Sequence, residues 1–125
     1  MLSRILPRVF ALFACCTLFG GAHAASAEIV AKLDALPAPM IVNQFYESLL
    51  RVTDAGGAGM SGLHLQIRGR MPEHSHGLPT VPRIVEEGEG RYRIKGLNFN
   101  MPGRWVIEIL HDDKPLLRQE FTVQL

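Results

Sequence analysis

Stretches of alternating apolar and polar side chains constrain the fold of this chain more than any other feature of its sequence. The alternation is clearest where Leu63, Leu65 and Ile67 are interleaved with polar side chains. Apolar side chains also take every second place in three later segments, 92–94, 105–109 and 121–125. A period of two places these side chains on one face of a strand, and turns rich in glycine and proline separate the segments. The sequence therefore predicts an all-β fold, an immunoglobulin-like antiparallel β-sandwich of about six or seven strands.

The alternating positions also predict the hydrophobic core. Trp105 is the largest side chain in the predicted set, and we expect it to contribute most to core packing. A shorter run near residues 80–85 contains Pro82, which predicts an edge strand. Gly90-Arg91-Tyr92 resembles the segment whose tyrosine closes a corner in sandwiches of this type. The predicted core residues are Leu50, Val52, Leu65, Ile67, Tyr92, Ile94, Trp105, Ile107, Phe121 and Val123.

Residues 1–24 have the pattern of a signal peptide. Arg4 and Arg8 precede an apolar run over residues 9–20, which is too short to span a hydrocarbon core of about 30 Å. Ala22-His23-Ala24 then supplies the small residues that signal peptidases accept. We expect cleavage near Ala24 and a mature protein that is periplasmic or secreted.

Both cysteines of the chain, Cys15 and Cys16, lie inside this apolar run. We therefore expect a mature domain without a disulfide. The minor alternative is a lipid-anchored protein cleaved before Cys15, although bulky Phe13 is a poor match to the cleavage box of lipoproteins. An uncleaved membrane anchor is a further alternative.

About 100 residues follow the predicted cleavage point, which is the size of one compact domain. Apolar side chains between residues 29 and 36 have helical spacing, and prolines follow them. We therefore expect a short helix or linker arm over residues 25–42. The β-sandwich domain is predicted over residues 43–125.

Charge and motifs exclude two classes of function. Without Arg4 and Arg8, the basic side chains nearly balance the 12 acidic ones, and no basic stripe is visible, so we expect no nucleic-acid partner. The sequence has no serine or cysteine nucleophile with a paired base and no glycine-rich phosphate loop. We therefore expect no catalysis.

Two turns gather side chains that suit copper. His74 and His76 are two residues apart in a turn that begins with Met71, and Met101 begins a second turn. Thioether sulfur is a soft ligand that selects Cu(I), whereas imidazole also binds Cu(II), zinc and nickel. If the two turns meet at one end of the sandwich, Met71, His74, His76 and Met101 form a copper site that favours Cu(I).

Other interpretations of these residues remain open. Methionine beside a proline at a strand end is more often a core packing residue than a ligand. A His-x-His pair in a polar loop is commonly solvated, and Glu73 could complete a harder zinc site with the two histidines.

The segment 71–105 resembles the YtkA-like domain, which is related in pattern to FixH-like proteins. The resemblance rests on the Met-Pro-x-His-x-His-Gly turn at 71–77, on Gly-x-Tyr at 90–92 and on Met-Pro-Gly-x-Trp at 101–105. It extends over the predicted domain from about Asn43. It implies a small exported or membrane-attached β-sandwich linked to copper handling or to assembly of respiratory oxidases, and it supports Met71, His74, His76 and Met101 as metal ligands.

The chain departs from the family pattern at Asn100, where many similar domains have a histidine before Met-Pro-Gly. An amide is a poor copper ligand, so the site is expected to be weaker or to be completed by His64 or His111. The surface interpretation is favoured for both of these histidines, because His64 lies on the polar face of its strand and His111 precedes two aspartates.

We therefore expect an exported copper-binding protein that acts as a chaperone or buffer. Its partner would be a periplasmic or membrane-bound copper acceptor or an oxidase-assembly protein. The alternative is a metal-free immunoglobulin-like interaction module that docks on a membrane or respiratory-oxidase assembly complex, for which Leu78, Pro79, Val81 and Pro82 offer an apolar stretch.

Overall fold

The computed structural model describes residues 27–125, so the predicted signal peptide and its two cysteines lie outside the described residues. The described chain forms eight β-strands. They are β1 (Ile29–Leu33), β2 (Met40–Ile41), β3 (Phe45–Asp54), β4 (Leu65–Arg70), β5 (Arg83–Gly88), β6 (Arg91–Asn98), β7 (Gly103–His111) and β8 (Lys114–Gln124). Within residues 27–125 there is no helix long and apolar enough to cross a membrane.

The strands form two sheets of four that pack face to face. The first sheet has the order β1, β3, β6, β5, and the second has the order β2, β8, β7, β4. All pairs are antiparallel except the short pair of β2 with β8. The predicted β-sandwich is therefore confirmed, with eight strands where the sequence predicted six or seven.

The predicted helix or arm over residues 25–42 is instead part of the sandwich. Residues 29–33 form β1, which pairs with β3 from Ile29 opposite Asp54 to Leu33 opposite Leu50. Ile29, Ala31 and Leu33 face the core, which is the alternation of a strand. The helical interpretation was wrong because Ala31 is too small to stand out as an apolar position in the sequence.

The core is built around Trp105, as predicted. Trp105 is fully buried, and the ring of Phe99 contacts it edge to face at a centroid distance of 5.2 Å. The ring of Phe121 also packs edge to face against Phe99, with a centroid distance of 5.0 Å. Phe99 is not among the predicted core residues, because residues 97–99 are buried consecutively and show no alternation. Of the predicted core, only Leu65, Ile67 and Phe121 are partly exposed.

The edge strand predicted near residues 80–85 is β5, which begins one residue after Pro82 and forms one edge of the first sheet. Glu86 and Glu87 lie within β5.

Tyr92 ties the first sheet to the connection between β3 and β4. Its hydroxyl donates to the carbonyl of Met60 at 2.8 Å and accepts from the amide of Leu63 at 3.2 Å. Gly90 makes this approach possible: its φ is +75°, and a Cβ there would lie 2.2 Å from the carbonyl oxygen of Val52. The tyrosine thus closes a corner of the sandwich by hydrogen bonds to residues about 30 positions upstream in the chain.

Candidate metal-binding turns

The two turns that carry the candidate ligands meet at one end of the β4–β7 pair. β4 ends at Arg70, which is opposite Val106 near the start of β7. Glu73 in the first turn accepts a hydrogen bond from Nε of Arg104 at 2.9 Å, and Arg104 lies just after the second turn. The two turns therefore meet at one end of the sandwich, which is the condition that the predicted site requires.

The first turn, residues 71–77, is closed by its own backbone. The amide of Met71 donates to the carbonyl of His76 at 3.1 Å, and the amide of His74 donates to the carbonyl of Met71 at 3.2 Å. Gly77 forms an isolated bridge with Arg70. These contacts place His74 and His76 in the exposed part of a hairpin-like turn whose base is continuous with β4.

The two imidazoles lie side by side and are exposed to solvent. Their ring centroids are 5.9 Å apart, with an angle of 43° between the ring planes. Within residues 27–125 neither ring forms an ion pair or a side-chain hydrogen bond. Two imidazoles bound to one ion, with metal–nitrogen distances of about 2.0 Å, have centroids roughly 5–6.5 Å apart. The observed spacing is therefore compatible with both rings binding the same ion.

The two candidate thioethers differ from the imidazoles in their burial. Met71 is only 1% exposed and belongs to the hydrophobic core. A Cβ added at Gly103 would lie 3.1 Å from its Cε, so Met71 packs against the start of β7. Met101 is partly buried against the same core, and its carbonyl accepts a hydrogen bond from the indole of Trp105 at 2.9 Å. Both methionines thus lie in or beside the core, as the alternative interpretation from sequence expected.

Glu73, the carboxylate that could complete a zinc site, has another partner. Its hydrogen bond to Arg104 joins the turn to β7, and Arg104 also contacts Glu120 at 3.2 Å. The hydrogen bonds that Arg104 donates to these two carboxylates raise the pKa of its guanidinium above the usual value. A metal that bound Glu73 would have to displace this arginine.

His64 and His111 lie at the opposite end of the same strand pair. Leu65 pairs with His111, whereas Arg70 pairs with Val106, and five residues of strand span about 17 Å. The structure therefore does not place either histidine beside His74 and His76. Asn100 is exposed and offers no substitute ligand there.

His64 and His111 are instead arranged around Asp112. Nδ1 of His111 lies 3.2 Å from the carbonyl of His64, and its Nε2 lies 3.4 Å from a carboxylate oxygen of Asp112. Nδ1 of His64 is 3.7 Å from the other carboxylate oxygen. Across the described part of the chain, no group of three or more His, Cys, Asp or Glu side chains is placed to hold a metal ion.

Arg68 and Arg70, on the strand that leads into the first turn, pair with carboxylates from other parts of the chain. Arg68 pairs with Asp113 at 3.4 Å, and Arg70 pairs with Glu108 at 3.7 Å. Arg83 forms no ion pair with any residue in 27–125. These pairs cross between strands that are distant in sequence, so the sequence analysis could not identify them.

Comparison with known proteins agrees with the fold. A family model described as YtkA-like matches residues 25–110, which is more than half of the chain. Its match includes both turns and also β1, which the sequence analysis had placed outside the domain. No curated protein matches the chain.

Three solved structures have similar folds at low sequence identity. The Lin-41 filamin domain is 13% identical with a TM-score of 0.59, and the match covers 75% of this chain and 91% of that one. FdeC, an Escherichia coli adhesin, is 20% identical with a TM-score of 0.61, over 74% of this chain and 30% of that one. The ZirS C-terminal domain is 10% identical with a TM-score of 0.53, over 100% of this chain and 85% of that one. These likenesses concern the β-sandwich alone.

Proposed function

The chain belongs to the YtkA-like family, and from that premise we propose that it is an exported copper-binding protein, a chaperone or buffer, that binds the ion at the His74–His76 turn. The observation that carries this proposal is the pair of solvent-exposed imidazoles with centroids 5.9 Å apart. Neither ring is engaged by another described side chain, so an ion would displace only water.

The methionines give the proposed site its preference for Cu(I). Met71 is the first residue of the turn and its side chain is buried in the core, and Met101 lies in the neighbouring turn. For Met71 to bind the ion, its thioether would have to rotate out of the core, whereas Met101 already has partial access to solvent. We therefore propose the two imidazoles as the primary ligands and the thioethers as the soft ligands that add affinity for Cu(I).

The proposed role is binding and transfer rather than catalysis. An ion held at the tip of a turn is accessible to a second protein, as transfer requires. We propose a periplasmic or membrane-bound copper acceptor, or an oxidase-assembly protein, as the partner. This part of the proposal rests on the family resemblance and on the export signal predicted in residues 1–24.

A competition titration tests the copper site. The purified protein is titrated against a chromogenic Cu(I) chelator, beside the variants H74A/H76A and M71L/M101L. We expect the native protein to take one equivalent of Cu(I) and H74A/H76A to lose at least about a hundredfold in affinity, since loss even of groups that only support a ligand weakens metal sites 10–100-fold. M71L/M101L should weaken Cu(I) more than Cu(II), because only the softer ion binds thioethers well.

The matched control is H64A/H111A, which also removes two histidines but at the far end of the β4–β7 pair. Its copper affinity should equal that of the native protein. Equal losses of copper affinity in H74A/H76A and H64A/H111A would mean that copper binds nonspecifically to surface histidines. If the native protein fails to compete at all, the copper proposal is wrong.

A metal-free interaction module is the second candidate, and the exposure of one loop residue favours it. Val81, in the connection that follows the histidine turn, is 92% exposed. Val81 lines a groove with Phe45 and Val85, which are also exposed, and neighbouring exposed apolar side chains are a feature of surfaces that bind partners. A native protein without affinity for copper would leave this function as the better supported one.

A further inference from the structure

A groove of about 400 Å³ runs along the outer face of the first sheet beside edge strand β5. Its apolar walls are Phe45, Val81 and Val85, and its polar side is formed by Arg83 and Lys95. Phe45 is 71% exposed and Val81 is 92% exposed. No carboxylate among residues 27–125 lines the groove, so the described lining is apolar and cationic.

The two cations are held directly opposite each other. Arg83 and Lys95 are register partners in the β5–β6 pair, and both point away from the core. Like charges at directly opposite positions of a sheet destabilise it. Neither side chain forms an ion pair with any residue in 27–125. The nearby carboxylate of Glu87 attracts Lys95 but is itself bound to Arg93, so no direct contact in that part of the chain neutralises either charge.

Other cross-strand cations on this sheet are neutralised. Arg51 is opposite Arg91 in the β3–β6 pair, but Arg51 contacts Asp34 at 3.6 Å and Arg91 contacts Glu89 at 3.6 Å. Arg93, next along β6, pairs with Glu87. Arg83 is the one arginine of the described residues that lacks a carboxylate partner, and it lies beside the exposed apolar side chains of Phe45 and Val81.

We propose that this groove binds a peptide segment of a partner protein that carries a carboxylate beside a large apolar side chain. The carboxylate would lie between Arg83 and Lys95 and relieve their repulsion. The apolar side chain would cover Phe45 and Val81. The hydroxyl of Thr80 donates to the carbonyl of Gly96 at 2.7 Å and fixes the rim, so the groove is formed before any peptide arrives.

The charge of the groove favours a peptide over a membrane surface. Binding to anionic lipid typically uses clusters of four to eight basic residues. Here two cations are unpaired, and their neighbours Arg91 and Arg93 are already bound to glutamates. A single peptide carboxylate can enter a concave site and contact both cations. A lipid surface is extended and flat and would not fill the groove.

Selection from a phage library of random dodecapeptides against the purified full chain tests the proposal. We expect enrichment of sequences with Asp or Glu adjacent to Leu, Ile or Phe. Synthetic versions of the enriched peptides are then measured by fluorescence anisotropy against R83E and F45S. Each variant should weaken binding at least tenfold.

The R83E variant separates a binding role from a structural one. It replaces a like-charge pair by an opposite-charge pair with Lys95, so its urea midpoint should equal or exceed that of the native protein while peptide affinity falls. The matched control is K114E, which makes the same change of charge on the other sheet and should leave peptide binding intact.

Failure to enrich acidic and apolar peptides would overturn the proposal, as would enriched peptides that bind R83E as well as the native protein. Vesicles containing phosphatidylglycerol form a separate arm: binding to them that is lost in R83E, without peptide binding, would identify a lipid surface instead. The groove is independent of the copper site, so the peptide measurement and the chelator titration can fail separately.

Discussion

The two ends of the β4–β7 pair each carry two histidines, but only one end leaves them available. At the end with His74 and His76 the imidazoles face solvent and each other, and no described side chain engages them. At the other end His111 contacts both the carbonyl of His64 and the carboxylate of Asp112. The same residue type therefore serves as a candidate ligand at one end and as part of a polar network at the other.

This difference arises from what surrounds each pair. The carboxylate nearest to the exposed pair, Glu73, is occupied by Arg104. At the far end Asp112, in the turn between β7 and β8, pairs with none of the described arginines and contacts both histidines instead. Occupation of the local carboxylate by an arginine thus leaves the imidazoles of the first turn without competing partners. Four experiments with variants would break or sharpen this contrast.

Loss of Trp105 should have the largest effect, because this side chain supports the end with the exposed histidines. It is fully buried, and its indole donates to the carbonyl of Met101. Trp105→Ala should lower the free energy of unfolding by about 3–5 kcal/mol, the usual result of removing a buried aromatic residue. Urea denaturation followed by circular dichroism measures this change. Val30→Ala, at a side chain 47% exposed, is the control and should change stability little; similar losses for both would contradict the assignment of the core.

Gly69→Ala should have the next largest effect, since it disturbs the base of the histidine turn. A Cβ at Gly69 would lie 2.6 Å from Cγ of Leu78, which must then move. Such overpacking typically costs about 1–3 kcal/mol, measured by the same denaturation. At Gly77 a Cβ would have its nearest neighbour at 3.5 Å, an ordinary contact. Gly77→Ala should therefore be tolerated, and a larger loss there than at Gly69 would disprove this account of the turn.

The histidines themselves give a smaller and more direct comparison. His111→Ala removes a hydrogen bond to the carbonyl of His64 and should cost about 0.5–1.5 kcal/mol. His74→Ala removes a side chain that has no hydrogen-bond or ion-pair partner within residues 27–125, and it should change stability by no more than about 0.5 kcal/mol. Parallel urea titrations in metal-free buffer measure both. If His74→Ala were the more destabilising variant, the exposed pair would have a structural role that the geometry does not indicate.

Glu73→Gln should have the smallest effect on stability. Arg104 keeps its contact with Glu120, and exposed ion pairs contribute little to folding. We expect an unchanged urea midpoint at low and high salt. A marked loss would mean that the ion pair, rather than the burial of Met71, holds the two turns together.

The sequence predicted the sandwich well because period-two alternation is a local signal. Trp105 and Tyr92 lie in the core as their alternation required. The prediction failed at β1, where small Ala31 hid the alternation, and at Phe99, where three consecutive residues are buried. Both failures occur where packing between distant strands, and not the local pattern, decides which side chains are covered.

The candidate site was only partly predictable for the same reason. The motif identified His74 and His76, and the geometry agrees with a shared ion between them. The motif did not indicate that His64 and His111 lie at the other end of the β4–β7 pair, because their position follows from the antiparallel register of these two strands. The pairing of Arg83 with Lys95 likewise depends on the register of β5 with β6. Neither register can be read from local sequence.

The closed backbone of the 71–77 turn has a consequence for the thermodynamics and speed of binding. Ordering the backbone of one residue costs about 1–2 kcal/mol of conformational entropy, and in this turn the hydrogen bonds of Met71 and His74 already provide that order. An ion arriving there would restrict little more than the rotamers of two side chains. Uptake and release could then proceed by exchange of ligands at a fixed turn, with no refolding step to limit the rate at which the ion passes to an acceptor.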